Sequence, residues 1–275
     1  MPQDTKSISA PMMRPKTRSK RSFASFRAIS ALMLREMATT YGRSPGGYFW
    51  AVAEPVAGVF VLTWAFSFIF MTPPLGTSFE LFYATGMLPF TMFVTLSNRV
   101  GTAIVFSRPL LTFPAVTFVD AIAARFLLNL LTELLVIYLV FVAILSLFET
   151  RALLDLTQIA GSLALTALFA LGVGTANAYL FMRFPVWHVF WALINRPLFV
   201  ISGVFFIYDK LPALLKEWLW FNPLVHIVGM MRKGFYPTYD NHYVSVVFVV
   251  GVSLGLLLFG LLMLSANGKK LIQEG

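Results

Sequence analysis

The sequence predicts an all-α polytopic membrane protein with six transmembrane helices, an N-terminal amphipathic interface helix and a broken re-entrant segment between spans five and six. Three observations support this fold class. Hydrophobic residues make up 58% of the 275-residue chain and charged residues only 12%, whereas soluble domains carry about 25% charged residues. Six apolar segments approach the roughly 20 residues that a span requires. Basic residues are concentrated before the first of these segments.

The chain starts with a basic tail that precedes an amphipathic helix. Residues 1–43 contain nine basic and two acidic residues. We expect residues 1–24 to form a disordered cytoplasmic tail, because they are polar, basic and interrupted by Pro11 and Pro15. From about Ser25 to Tyr41, apolar residues recur at three- and four-residue spacing, which indicates a helix that lies along a membrane surface.

A single membrane domain is expected over residues 25–275. Its six predicted spans lie near 48–71, 81–106, 126–148, 157–181, 187–208 and 243–265. An even number of spans places both termini on one side, and the basic tail assigns that side to the cytoplasm. Between spans five and six, residues 209–240 contain two short apolar runs around Asn222-Pro223. Neither run can cross a bilayer, so we expect a re-entrant helical pair at the outer face.

The sequence contains no pattern typical of a catalytic or metal-binding site. It has no cysteine, no G-x-x-x-x-G-K-[ST] phosphate loop and only three widely spaced histidines. It therefore offers no thiolate nucleophile and no pair of histidines at the helical spacing of a metal site. We expect a non-enzymatic chain with no cofactor or metal of its own, so that any energy for transport comes from another chain.

Span three carries a polar stripe. Arg125, Asn129 and Glu133 are spaced by four residues and share one helix face. Ionisable groups within a span are costly and usually face a cavity or a partner. The stripe either forms one wall of a polar pathway or makes structural contacts to Asn177 or Arg196 on another span.

The cytoplasmic connection after span two has the composition of a docking element. Pro109 and Pro114 bracket a short apolar run, and a helix begins near Thr117 with Asp120 in its first turn. A short apolar helix held between two prolines suits insertion into a cleft on another protein. A buried turn explains the same composition equally well.

Four segments of the chain together resemble one known family. They are LREMATTYGRSPGGYFWAVAEP (34–55), RPLLTFPAVTFVDAIAAR (108–125), NRPLFVISGVFFIYDKLP (195–212) and WFNPLVHIVGMMRKGFYPTY (220–239). In this order and on this topology, the chain resembles the permease subunits of type-2 ABC exporters, and among them the capsular polysaccharide export permeases. The longer and more basic N-terminal tail departs from the family pattern.

The resemblance implies a function and a set of partners. Such permeases export a lipid-linked glycan from the cytoplasm across the bacterial inner membrane. They form homodimers and pair with two copies of a cytoplasmic ATPase, which holds the ATP and Mg. In capsule systems they also work with a periplasmic co-polymerase and an outer-membrane polysaccharide exporter. Nucleic acid is not an expected partner.

Two groups of candidate site residues follow. The resemblance implies contact with the ATPase subunit by a coupling helix and by the interface helix, and the residues concerned are Arg108, Pro109, Leu110, Leu111, Thr112, Phe113, Arg35 and Glu36. For the glycan path, aromatic and polar residues of span one, span five and the external segment are candidates: Trp50, Glu54, Trp64, Arg196, Ser202, Phe205, Phe206, Trp218, Trp220, Asn222 and His226. For Arg196, a structural ion pair with Glu133 or Glu54 is an equal alternative to contact with an anionic cargo.

Three other functions remain open at this point. The same machine could export O-antigen, teichoic acid or a small hydrophobic drug, although Arg196 favours a polar or anionic cargo. An ion-coupled secondary transporter would contain inverted repeats and paired ionisable groups at the midplane, and the two halves of the sequence show no convincing repeat. A membrane-embedded glycan enzyme would need a catalytic constellation.

Overall fold

The computed structural model of the chain describes residues 24–40, 47–68, 72–111 and 116–274. Within these residues it is all helical. The α-helices are α1 (Ala24–Thr40), α2 (Gly47–Ser67), α3 (Phe79–Gly101), α4 (Ala103–Leu111), α5 (Phe118–Leu147), α6 (Leu156–Arg183), α7 (Pro185–Ile201), α8 (Ala213–Leu219), α9 (Pro223–Phe235) and α10 (Val246–Glu274), and a 3-10 turn covers Tyr208–Lys210. The predicted tail lies outside the described residues except for Ala24.

Four helical segments of the described chain are long and apolar enough to cross a membrane. They are Phe79–Leu111, Phe118–Leu147, Leu156–Arg183 and Val246–Asn267, whereas Val52–Ser67 and Pro185–Ile201 are shorter apolar helices. The structure thus shows a multi-pass apolar helical protein. The predicted spans one and five correspond to the two shorter helices.

The observed ends of two predicted spans differ from the expected ones, whereas the helix that contains a third span begins at its predicted cap. The second span continues to Leu111 rather than ending at residue 106, with a one-residue interruption at Thr102 between α3 and α4. The third span lies in α5, which begins at Phe118 in agreement with the predicted cap near Thr117, and Thr117 and Asp120 form a reciprocal capping box. The fifth span does not reach residue 208, because Gly203 adopts a φ of 90° directly after α7 and ends the helical path.

Helix α6 is the centre of the bundle and packs against α3, α9 and α10. Two glycines allow this close approach. A Cβ atom at Gly174 would lie 2.6 Å from Cβ of Val100 on α3, and one at Gly260 on α10 would lie 2.6 Å from the backbone nitrogen of Ala176. Small residues at helix contacts are how membrane helices gain packing energy, since lipid provides no hydrophobic drive between them.

The segment predicted to be external forms two helices that meet where the sequence predicts a break. Asn222 caps α9 by accepting a hydrogen bond from the Leu224 amide, and Pro223 occupies the first helical position. Helix α9 is buried along most of its length, whereas α8 has no buried residue. Helix α9 is therefore an apolar element inside the bundle that is too short to cross a membrane.

Candidate coupling cluster and translocation site

A buried ion pair joins α1 to α5. Nε of Arg125 lies 2.9 Å from Oε1 of Glu36, and both side chains are almost fully buried. Nδ2 of Asn129 lies 3.5 Å from the same carboxylate oxygen and 2.7 Å from the Arg125 carbonyl. Two residues of the predicted polar stripe therefore make structural contacts, and their partner is Glu36 rather than Asn177 or Arg196. We call these three residues the α1–α5 cluster.

The α1–α5 cluster also contacts the junction between α3 and α4. Nη1 of Arg125 donates to the Thr102 hydroxyl at 3.0 Å, and Thr102 is the residue that separates the two helices. The Arg125 guanidinium lies 4.2 Å from the centroid of the Phe106 ring, and the Arg35 guanidinium lies 5.3 Å from it. Since α4 contains Phe106, α1 and α5 hold the orientation of α4 through this contact.

The structure describes four of the six coupling candidates that follow span two. Arg108, Pro109, Leu110 and Leu111 form the last turn of α4, and Thr112 and Phe113 lie outside the described residues. Pro109 lies within α4 rather than ahead of a new helix, so the expected separate helix between two prolines does not begin after Pro109.

The two candidates on α1 contact the chain itself. Glu36 is 2% exposed and is paired with Arg125. Arg35 is half-buried against Phe106, and its Nη1 has no hydrogen-bond partner among the described residues. Glu36 consequently holds α1 against α5.

The candidates on α2 form one exposed face. Trp50 and Trp64 are 62% and 64% exposed, and Glu54 is exposed between them. Their sequence separations of 4 and 10 residues place the three side chains within one helix stripe. This face of α2 has no covering element within the described chain.

The candidates around α7 divide into exposed and buried side chains. Arg196 is exposed and, like Glu133, forms no ion pair with another described residue, so the predicted pairs with Glu133 or Glu54 are not present. Ser202 is fully buried and donates to the Phe199 carbonyl. Phe205 packs edge-on against Phe199, and its ring lies near Phe66, whereas Phe206 is half-buried.

The candidates between α7 and α10 mainly hold the α8–α9 turn in place. Trp218 is 74% exposed, but Trp220 donates from Nε1 to the Tyr243 carbonyl. Asn222 donates from Nδ2 to the Ile201 carbonyl at the end of α7. His226 is fully buried. Of these four side chains, Trp218 is the one that extends away from the protein.

The buried His226 ring links three segments and has a defined tautomer. Nδ1 accepts a hydrogen bond from the Ser245 amide at 3.1 Å, so this nitrogen carries no proton. Nε2 must then carry the proton, and it donates to the Trp220 carbonyl at 2.7 Å. Burial lowers the pKa of His226, although the carbonyl contacts act against this shift.

We expect the protein to become less stable as the pH decreases below about 6.5, which is the pKa of a histidine in the unfolded chain. The pKa of His226 is lower in the folded state, so the unfolded chain takes up a proton first as the pH falls. The His226 contribution is thus complete above that pH and is lost as the pH drops towards the folded pKa. The difference between the unfolding temperatures at pH 7.5 and 5.5 measures this loss of stability, and it should be smaller in the His226→Gln variant. An unchanged difference in the variant would contradict this assignment.

Arg232 is a functional candidate that the sequence did not indicate. It is 1% exposed, and its guanidinium donates to the carbonyls of Phe206 at 2.6 Å and Val204 at 3.0 Å. It also lies 4.3 Å from the centroid of the Phe82 ring on α3. Arg232 thus ties α9 to the irregular segment after α7 and to α3. We call these contacts the Arg232 clasp.

The described residues contain no group of three or more His, Cys, Asp or Glu side chains that could hold a metal ion. Among the ionisable groups described above, Glu36, Arg125, His226 and Arg232 are used in packing contacts, whereas Glu54 and Arg196 are exposed. The arrangement is that of a helical scaffold with exposed apolar and aromatic faces on α2, α7 and α8.

Comparison with known proteins shows the family. The model of the ABC-2 type transporter family matches residues 27–236. Polysialic acid transport protein KpsM of Escherichia coli is 30% identical over 233 residues, covering 85% of this chain and 90% of that protein. Capsule polysaccharide export inner-membrane protein BexB of Haemophilus influenzae is 32% identical over 245 residues, covering 88% and 92%.

A third relative agrees with these two. Capsule polysaccharide export inner-membrane protein CtrC of Neisseria meningitidis serogroup B is 28% identical over 247 residues, covering 88% of this chain and 92% of that protein. The matches span almost the whole membrane domain, so the resemblance drawn from the four sequence segments is confirmed. The chain belongs to the ABC-2 type transporter family of membrane permeases.

Proposed function

We propose that this chain is the transmembrane subunit of an ATP-driven exporter that carries capsular polysaccharide across the bacterial inner membrane. The observation that carries this proposal is the alignment of the membrane domain with a polysialic acid transport protein and two capsule polysaccharide export inner-membrane proteins, over about nine-tenths of their lengths. The multi-pass apolar structure suits the same role. The chain has no visible energy-converting motif, and an ABC ATPase on a separate subunit supplies the drive.

The proposed assembly contains two copies of this chain and two ATPase subunits that hold ATP and Mg. A periplasmic co-polymerase and an outer-membrane exporter continue the path beyond the inner membrane. Six crossings are proposed, made by α2, α3 with α4, α5, α6, α7 and α10, and both termini are cytoplasmic. Helix α1 lies along the membrane surface, which suits its exposed Phe26 and Leu34 side chains.

The proposed glycan path uses the exposed faces of α2 and α7. Trp50 and Trp64 offer aromatic surfaces for sugar rings, and Glu54 and Arg196 offer polar contacts. These faces lack a covering element in one described chain, and a second copy would enclose them around a channel. Ser202 and His226 support the outer end of this path from within the fold.

Deleting the gene should leave polymer inside the cell and none on its surface. The chain supplied in trans should restore surface polymer, as measured by surface antibody labelling against total polymer in lysates. Normal surface polymer in the deletion strain would overturn the proposal. Uptake into inverted vesicles of capsule, O-antigen or teichoic acid glycolipids distinguishes this cargo from the others.

The end of α4 is the proposed ATPase contact, and a charge there should disrupt it. We expect Leu111→Asp to abolish co-purification of the ATPase, since a carboxylate would enter an apolar cleft on the partner. Val119→Asp is the control: Leu111 is half-buried, whereas Val119 is an exposed apolar residue in the first turn of α5, where an acidic side chain is favourable. If both variants are present in the membrane at equal levels and co-purify equal amounts of the ATPase, the end of α4 is not the ATPase contact.

A further inference from the structure

We propose that a cleft beside α7 binds a lipid acyl chain whose head oxygen accepts a hydrogen bond from Asn177. The cleft is a cavity of about 530 Å³ bounded by α3, α6, α7, α9 and α10. Its volume falls in the range of about 300–1000 Å³ that is typical of ligand pockets. We call it the α7 cleft, and this inference goes beyond the export function.

The shape of the α7 cleft suits a long ligand. Its lining begins with Trp187 near the start of α7 and continues to Ile201 at its end and to Trp218 on α8. Helix α7 has 17 residues and therefore measures about 25 Å. A cavity that follows most of this length fits an extended chain better than a compact molecule.

The chemistry of the lining suits a hydrocarbon. Aromatic and aliphatic side chains such as Phe93, Phe169, Leu198 and Leu256 dominate the walls, and none of the lining residues is charged. The polar side chains of the lining that could bind a head group are Asn177 at one end and Asn222 at the other. Asn222 already uses its amide oxygen and nitrogen in bonds to Leu224 and Ile201.

Asn177 retains one unused donor at its end of the cleft. It is 3% exposed, and its Oδ1 accepts a hydrogen bond from Nε1 of Trp187 at 2.9 Å. This bond fixes the orientation of the amide, since an indole N–H can only donate. Nδ2 is consequently directed elsewhere, and it has no hydrogen-bond partner among the described residues. A buried amide donor is costly without an acceptor, and an ester or phosphate oxygen of a lipid would supply one.

The surroundings of the cleft favour lipid over a second copy of the chain. Beside the cleft, α10 exposes apolar side chains, including Leu258 and Leu262, so the cleft borders a face suited to the bilayer interior. An apolar helix from another copy would fill the space but would leave Nδ2 of Asn177 without an acceptor. A lipid would pack its acyl chain against the apolar walls and would supply an acceptor for Nδ2 of Asn177.

Retention of lipid by the purified exporter tests the inference. The complete complex is extracted in mild detergent, washed, and weighed by native mass spectrometry. We expect one lipid per copy of this chain in the wild type. Ile194→Trp should remove it, because Ile194 lines the cleft. Leu193→Trp should retain it, because Leu193 is 55% exposed on the same helix and does not line the cleft.

A second variant tests the hydrogen bond itself. Asn177→Asp keeps an oxygen that accepts from Trp187 but removes the amide donor. We expect about fivefold weaker retention, as for the loss of one hydrogen bond. Retention equal to the wild type in both Asn177→Asp and Ile194→Trp would overturn the proposal. If the wild type holds no lipid and Ile194→Trp dissociates the complex, a second copy closes the cleft. That result would also overturn the proposal.

The mass of the retained lipid identifies its source. A membrane phospholipid in cells with and without polymer synthesis marks a resident lipid, whereas an acylated glycan anchor found only in polymer-producing cells marks the cargo. Either result supports the site. If the purified exporter holds no lipid but surface export is normal, this inference alone is overturned. If lipid is retained but deletion of the gene does not change surface polymer, the proposed function alone is overturned.

Discussion

Glu36→Ala should reduce the free energy of unfolding by about 3–5 kcal/mol, the usual effect of removing one partner of a buried ion pair. The Arg125 guanidinium would remain buried without a carboxylate, and α1 would lose its ionic contact with α5. Thermal unfolding of the purified protein in one detergent measures the overall loss. Limited proteolysis should show faster cleavage of α1 than in the wild type.

The double variant Glu36→Leu with Arg125→Met is the control for this explanation. Replacing both charges by apolar groups removes the desolvation cost of the pair together with its attraction, so stability should return close to that of the wild type. Arg27→Ala changes an exposed charge on the same helix and should leave unfolding unchanged. If Glu36→Ala unfolds like the wild type, the ion pair does not anchor α1.

The same cluster bears on the proposed coupling. Arg125 contacts Thr102 at the α3–α4 junction and Phe106 within α4, and α4 ends in the residues proposed to contact the ATPase. Helices α1, α4 and α5 are thereby joined through one set of buried contacts. A push on the end of α4 would be transmitted to α5 rather than absorbed by a loose helix.

The sequence predicted helices well where apolar runs and local caps determine them. The capping box of Thr117 and Asp120 and the break at Asn222-Pro223 lie where local chemistry indicates them. The end of α7 was predicted seven residues too late. It depends on the positive φ of Gly203, and a single glycine in an apolar run does not distinguish a turn from a helix-packing position.

The sequence predicted polar side chains but not their partners. The stripe of Arg125 and Asn129 was recognised from its spacing, but its partner Glu36 lies 89 residues away from Arg125 on α1. Trp218 and Trp220 looked equivalent, yet one is exposed and the other is hydrogen-bonded to Tyr243. Such differences depend on how helices pack, and periodicity alone does not determine that.

Arg232 shows the same limit most clearly. In the sequence it is a basic residue in a segment between two spans, which favours an exposed position. Its partners are the backbone carbonyls of Val204 and Phe206. Every residue has a backbone carbonyl, so the sequence does not indicate which of them accept a hydrogen bond from Arg232. The apolar residues around it were the one available signal, because they make a buried α9 plausible.

Arg232→Met should cost about 2–6 kcal/mol, because the carbonyls of Val204 and Phe206 each lose a charged donor worth about 1–3 kcal/mol. Methionine fills much of the same space, so the loss reports the hydrogen bonds and the contact with Phe82 more than a cavity. Thermal unfolding should shift down by several degrees, and surface polymer should fall because the segment after α7 loses its support.

Two comparisons separate the Arg232 clasp from a general effect of charge. Arg232→Lys keeps the charge but lacks the planar fork that reaches two carbonyls at once, so its unfolding temperature should lie between those of the wild type and Arg232→Met. Lys210→Met removes an exposed charge that makes a long surface hydrogen bond of 3.4 Å to the Pro74 carbonyl, and it should change neither unfolding nor export. If Arg232→Lys matches the wild type, charge alone is sufficient. If Arg232→Met also matches it, the carbonyls of Val204 and Phe206 find other donors, and the clasp does not support the outer end of the path.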